Sequence, residues 1–246
     1  MKVIFHQDFA GVYTTDPAAA AGRLESVLAV IEDRFDILTP SPAAASALAA
    51  VHTAGHISRV RQSGLYPIAA LAAGAAIQTA LTGLREPAFG LLRPPGHHAS
   101  GDSAWGFCYF NNMAVALTAL KSAGRIKTAL VLDIDLHHGD GTENLFAGQK
   151  WVAVHNPWQR TREAYVREVA QILSNRQVDL IGVSAGFDYH REDWGGLLAT
   201  EDYAAIGALV RAAADACGGG CFALLEGGYN HDVLGQSVAA LLAGMG

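Results

Sequence analysis

Cysteine, formal charge and long apolar runs are all scarce in this chain, and each shortage removes a class of protein. Three cysteines, an odd number with no framework spacing, exclude a disulfide scaffold and fit a reducing compartment. Cys217 and Cys221 flank three glycines, but two thiols cannot complete a zinc-ribbon set. Charged residues make up only 16%, and the 17 Lys and Arg are scattered and outnumbered by 23 Asp and Glu. The resulting net charge of −6 argues against nucleic acid or an anionic membrane as partner. No apolar run reaches the roughly 18 to 20 residues of a membrane span. The N-terminal MKVIFHQDF has no signal-peptide core, so the expected location is cytoplasmic.

What the chain does have is apolar material. With 246 residues and 51% hydrophobic content, it reads as one α/β domain over 1–246, its sheet covered on both faces. Short β-rich runs fall at Lys2–Phe5, Phe35–Leu38, Ala88–Leu92, Thr128–Ile134, Trp151–Val154, Leu180–Ser184 and Phe222–Leu225. Helical stretches alternate with them, near Ala18–Arg34, Pro42–Gln62, Ile68–Leu84, Asn111–Ala123, Arg162–Asn175, Tyr203–Ala216 and Val233–Ala243. This alternation predicts a mainly parallel sheet with crossover helices.

Polar and glycine-rich groups follow four of the strands: RPPGHH after Leu92, DLHHGDG after Ile134, SAGFD after Val183 and EGGYN after Leu225. Ligands bind at the carboxyl ends of an open parallel sheet, so these groups are expected to share one crevice. In Asp133-Ile-Asp-Leu-His137, strand alternation predicts Asp133, Asp135 and His137 on one face, where they can ligate a divalent ion. Burying two carboxylates beside an apolar run is costly without a cation. Neighbouring side chains diverge, so His97 and His98 suit two proton-handling roles better than shared ligation, each ring oriented by its own carboxylate. Asp188 can bring a third ligand and leave a position open for water and substrate, although Asp after Gly-Phe also serves as a helix N-cap. Tyr229, after two glycines, can donate to an oxyanion. The loop Trp105–Asn112 either lines a narrow apolar slot or is core at a helix start.

Taken together, these segments resemble the histone deacetylase superfamily, which includes acetylpolyamine amidohydrolases and acetoin-utilisation proteins. RPPGHHA, WGFCYFNN, DIDLHHGDGTE, SAGFD and EGGYN stand in that family's order. The resemblance implies the arginase/deacetylase fold, a three-layer α/β/α sandwich, and a zinc-dependent amidohydrolase. It implies Asp135, His137 and Asp188 as ligands of one Zn2+, and His98 as general base and acid, paired with Asp140. His97, paired with Asp133, would orient and stabilise; Tyr229 would donate to the oxyanion; Gly106 would accept from the substrate amide; and Phe107 would wall the slot. A potassium ion near Asp133, Asp135 and His137 is a further implication. The substrate would be a small acylated amine or an acyl-lysine.

The chain departs from that pattern in its loops. Asp16–Arg23 replaces the family's His-Pro-Glu-Arg-Pro-type segment, RVRQSGLYP lacks a loop carrying a substrate-binding Asp, and the segment after His155 runs through Asn156–Arg160 straight into a helix. These losses predict a shallow or open site, with Trp158 a candidate replacement wall, unless a second subunit supplies one. An arginase-like dimetal enzyme would need a second set of ligands, and SAGFD has one carboxylate. A non-catalytic acyl-amine binder is the other rival, and it sits poorly with the retention of His97, His98 and Tyr229.

Overall fold

The computed structural model describes residues 1–174 and 176–246. All seven expected strands form: β1 (Lys2–Ile4), β2 (Asp36–Leu38), β3 (Ala88–Gly90), β4 (Ala129–Asp133), β5 (Val152–His155), β6 (Leu180–Ala185) and β7 (Gly220–Leu225). They make one sheet, ordered β2-β1-β3-β7-β6-β4-β5, with every pairing parallel. Strands β4 and β6 are buried along their whole length. That is why they read as continuous apolar runs rather than as alternating ones.

Helices α1 (Arg23–Ile31), α7 (Arg162–Leu173), α8 (Thr200–Cys217) and α9 (His231–Met245) pack as a row, α1 on α9, α9 on α8 and α8 on α7. Helix α4 (Tyr66–Gly83) packs on α5 (Asn112–Ser122), and its alanines are mostly buried because small side chains allow close approach to the strands below. The sandwich expected from sequence is therefore present. The stretch 42–62 differs: it is two helices, α2 (Ala45–Ala49) and α3 (Ala54–Gln62). Thr53 starts the second by accepting from the His56 amide, a competing hydrogen bond that periodicity does not register. A short helix, α6 (Asp140–Phe146), follows β4. The expected helix over 162–175 ends within the described residues at Leu173, and Asn175 lies outside them.

His52, in the break before α3, ties that region to the loop after β3. Its Nε2 accepts from the Asn111 amide at 3.0 Å, and Nδ1 lies 2.9 Å from the Ser100 carbonyl, so the ring is held neutral with the proton on Nδ1. Burial, then the neighbouring His56, lowers its pKa from 6.5 to about 4. Between those values the unfolded chain binds more protons than the folded one, so stability falls as pH drops through this window. The loss should reach about 3 kcal/mol once both values are passed. Urea denaturation near pH 7 and near pH 4.5 should show a smaller acid loss in His52→Gln than in wild type; identical losses would exonerate His52.

Candidate active site

In a parallel sheet all carboxyl ends lie along one edge, and the strands bearing the four motifs, β3, β7, β6 and β4, are consecutive neighbours. Two buried groups pin the loop after β3. The Arg93 guanidinium donates to the carbonyls of Phe9, Ala10, Gly11, Ala18 and Ala20. Glu226, just past β7, accepts from the amides of Gly96 at 2.7 Å and His97 at 3.2 Å. Arg23, at the start of α1, holds the carbonyls of Gly228 at 2.7 Å and Glu226 at 2.6 Å. Sequence reasoning gave neither Glu226 nor Arg93 a role; a charged residue inside an apolar or Pro-Gly context was the signal available.

Beyond β4 the chain departs from the expected alternation. The strand ends at Asp133, and Asp135 and His137 are brought round by successive side-chain-to-backbone bonds. Asp133 Oδ1 accepts from the Asp135 amide at 3.1 Å, and Asp135 Oδ1 from the His137 amide at 2.9 Å. Local turn chemistry therefore replaces pleat geometry, with the same convergence. His137 Nδ1 lies 3.3 Å from Asp135 Oδ1 and 3.1 Å from Asp188 Oδ2. Asp188 caps no helix; it is fully buried and its Oδ1 accepts from the Leu136 amide at 3.1 Å. A Cβ on Gly227 would stand 2.6 Å from Asp135 Oδ2 and 2.7 Å from Asp188 Oδ2, so only glycine fits this close approach.

This cluster is short of positive charge. Hydrogen bonding to Asp135 and then Asp188 raises the His137 pKa to about 10. Burial, then repulsion from Asp135, lifts Asp188 to about 7. Asp188 Oδ2 is buried without an aligned donor. One imidazole nitrogen and two carboxylate oxygens within 4.8 Å of one another fit a divalent cation in both donor chemistry and charge. A second group, His97, Cys108 and Glu226, is fully buried, but His97 Nδ1 is engaged by Asp133 and Glu226 by two amides.

His97 and His98 do not diverge; their rings lie 4.0 Å apart because their Nδ1 atoms are drawn to carboxylates at the end of one strand and the start of the next helix. His97 Nδ1 is 3.1 Å from Asp133 Oδ2, and His98 Nδ1 is 2.7 Å from Asp140 Oδ1. The two environments then push the rings apart in pKa. Burial opposes charge on His97, but Asp133 and Asp135 outweigh it and raise the value well above normal. For His98, burial and the adjacent His97 prevail over Asp140 and lower it to about 4.

The loop 105–107 wraps His98. Trp105 stacks on it at 3.6 Å and donates from Nε1 to Asp140 Oδ2 at 3.0 Å. A Cβ on Gly106 would stand 2.3 Å from His98 Cδ2, and Phe107 has φ 67°, a strained value for a residue with a side chain. A slot of about 270 Å³ opens here, lined by Trp105, Phe107, His98, His137, Trp194 and Tyr229 among others. The slot has aromatic walls, and its two tryptophans are half-exposed at the mouth. Trp158, 71% exposed, lines a different cleft, and Trp194 lines the slot instead. Sequence reasoning passed over Trp194, which bears no motif.

A model of the histone deacetylase domain matches residues 18–165 and 156–245. A probable deacetylase of Methanothermobacter thermautotrophicus is 32% identical over 73% of this chain and 65% of its own length. A histone deacetylase-like amidohydrolase of Pseudomonas aeruginosa is 30% identical over 87% of this chain and 74% of its own. The human polyamine deacetylase HDAC10 is 28% identical over 96% of this chain, which spans 46% of that protein. The crystal structure of the HDA15 HD domain superposes with a TM-score of 0.84 at 26% identity, covering 98% of this chain and 88% of that one.

Proposed function

This chain belongs to the histone deacetylase family, and from that premise we propose that it is a zinc-dependent amidohydrolase that cleaves an N-acyl amide of a lysine-like or polyamine-like amine to the free amine and a carboxylate. The observation carrying the reading is that the Asp135–His137–Asp188 cluster lies beside one slot together with His98 and Tyr229. Those three side chains would hold the ion. When bound, zinc would polarise the amide carbonyl and acidify the attacking water.

His98 carries the proton traffic. With Nδ1 engaged by Asp140, Nε2 is the free nitrogen, and a pKa of about 4 keeps it unprotonated near neutrality. It accepts the proton of the attacking water and returns it to the leaving amine nitrogen. His97, held charged by Asp133 and Asp135, orients its neighbour and supplies positive field. Burial, then Asp135, pushes the Tyr229 pKa up, so its hydroxyl stays a donor for the developing oxyanion. The Gly106 carbonyl accepts from the substrate N–H, and Phe107 covers the stem. A potassium ion beside Asp133, Asp135 and His137 has no part in this proposal.

The test is turnover by zinc-reconstituted protein on acetyl-lysine peptides, N-acetylated polyamines and longer acyl-lysine derivatives. Chelation should abolish turnover and zinc should restore it. Zinc should also raise Tm, because it relieves two crowded, buried carboxylates. Turnover that survives complete metal removal would refute the assigned ligands, and a folded, loaded protein inert on the whole panel would refute the substrate class.

A further inference from the structure

Tyr229 stands on a weak piece of backbone. Two glycines precede it, and Gly228 has φ 117°, a value that favours glycine and leaves the chain free to swivel. Helix α9 starts only two residues further on, at His231. The tyrosine ring stacks on the Trp194 indole at 4.0 Å and meets Phe107 edge to face at 6.0 Å. Apolar contacts of this kind carry little directional preference, so the place of the hydroxyl depends on the backbone beneath the ring.

One carboxylate holds that backbone. Asp193 Oδ2 accepts from the amides of Tyr229 at 2.7 Å and Asn230 at 2.8 Å, and Oδ1 accepts from the Trp194 amide at 2.8 Å. A single side chain thus fixes both the tyrosine and the residue whose indole stacks on it, through charge-assisted bonds. Asn230 closes the clamp from the other side. Its Nδ2 donates to the Glu192 carbonyl at 2.6 Å, and its Oδ1 accepts from the Asp232 amide at 3.0 Å in the first turn of α9. The loop bearing Asp193 is anchored in turn: the Asp193 N–H donates to the His190 carbonyl at 2.9 Å, and the Gly195 N–H to the Asp188 carbonyl at 2.7 Å. Asp193 is not among the residues lining the slot, so any influence on the chemistry there passes through the groups it holds.

Resting on the reading of Tyr229 as the oxyanion donor, we propose that Asp193 is a positioning residue for the reaction: by tying the loop after β6 to the backbone of Tyr229 and Asn230, it sets where the Tyr229 hydroxyl stands relative to the Asp135–His137–Asp188 cluster. A displacement of about 1 Å at a reacting group costs about a hundredfold in rate. Outright loss of the hydroxyl sets the ceiling, since a misplaced donor is no worse than an absent one.

A double-mutant cycle tests this, with Asp193→Ala made in the native, Tyr229→Phe and His98→Ala backgrounds and zinc content measured throughout. In the native background Asp193→Ala should lower kcat by about ten- to a hundredfold, with KM within about threefold of wild type. In Tyr229→Phe, with no hydroxyl left to misplace, the same change should cost less than about threefold. In His98→Ala it should cost as much as in the native background, because that ring is held by Asp140. An equal cost with and without the tyrosine hydroxyl overturns the proposal, and so does a cost that vanishes in His98→Ala as well. Loss of zinc from Asp193→Ala also overturns it, by moving the role to the Asp188 ligand. If Asp193→Ala does not fold, the cycle is run with Asp193→Asn, which keeps one acceptor oxygen, and the same comparisons decide. If wild type turns over no amide, the amidohydrolase reading fails separately, and amide hydrogen exchange then judges the clamp. Exchange at Tyr229 and Asn230 should quicken by about tenfold or more in the Asp193 variant. Unchanged exchange overturns it there.

Discussion

His98→Ala, folded and supplied with zinc, is expected to lose about 10² to 10⁴ in kcat, with a much smaller change in KM. The expectation comes from the separation of two adjacent imidazoles. His97 is held charged by Asp133 and Asp135, and His98 is held neutral by burial and by that charge, with its Nδ1 on Asp140. Titratable neighbours pushed in opposite directions are the mark of divided acid and base roles. Removing the His98 imidazole leaves no other free ring nitrogen beside the His137 cluster among the described residues, because His97 Nδ1 is bound to Asp133 and its Nε2 faces Asp135 at 3.8 Å. Steady-state kinetics at saturating zinc, with metal content measured for both proteins, decides the matter. Mutant turnover within a few-fold of wild type would move the proton transfer to another group.

Tyr229→Phe is expected to lower kcat by about 10² or more while leaving zinc content and KM close to wild type, since one donor to a developing oxyanion is worth about that much. The phenylalanine ring keeps the stack on Trp194 and the edge contact with Phe107, so the change isolates the hydroxyl. The backbone at this position is fixed by Asp193 and by the Arg23 bond to the Gly228 carbonyl, which makes a collapse of the loop in the mutant unexpected. Burial and Asp135 hold the phenol protonated, the state in which it donates. A variant that turns over at the wild-type rate would remove Tyr229 from the chemistry. One that loses zinc would show that its role is to support the Asp135–Asp188 cluster.

Much of the site was legible because its residues carry unmistakable chemistry in short segments. DIDLHH holds two carboxylates and two imidazoles within six residues, and RPPGHH places two more imidazoles after a stiff turn. Such groups are expensive to bury unpaired, so their presence beside apolar strands announces a cation or a proton relay. The supporting groups were harder to see. Asp193 and Glu226 act by accepting backbone amides from distant segments, and Trp194 by stacking, and none of these roles leaves a spacing in the sequence. The shortened loops were visible in the sequence, but the Trp194 indole that lines the slot was not.

By itself, the sequence determined the strands, the parallel sheet and the residue types gathered at the candidate site, because apolar periodicity and the cost of buried charge are local properties. The tertiary structure decided that β3, β7, β6 and β4 stand side by side, so that motifs separated by up to 130 residues meet at one edge, as Gly96 and Glu226 do. It also decided that His97 and His98 lie in different fields, and that Trp194 rather than Trp158 walls the slot. Those outcomes depend on strand order and on long-range contacts, and no linear spacing encodes either.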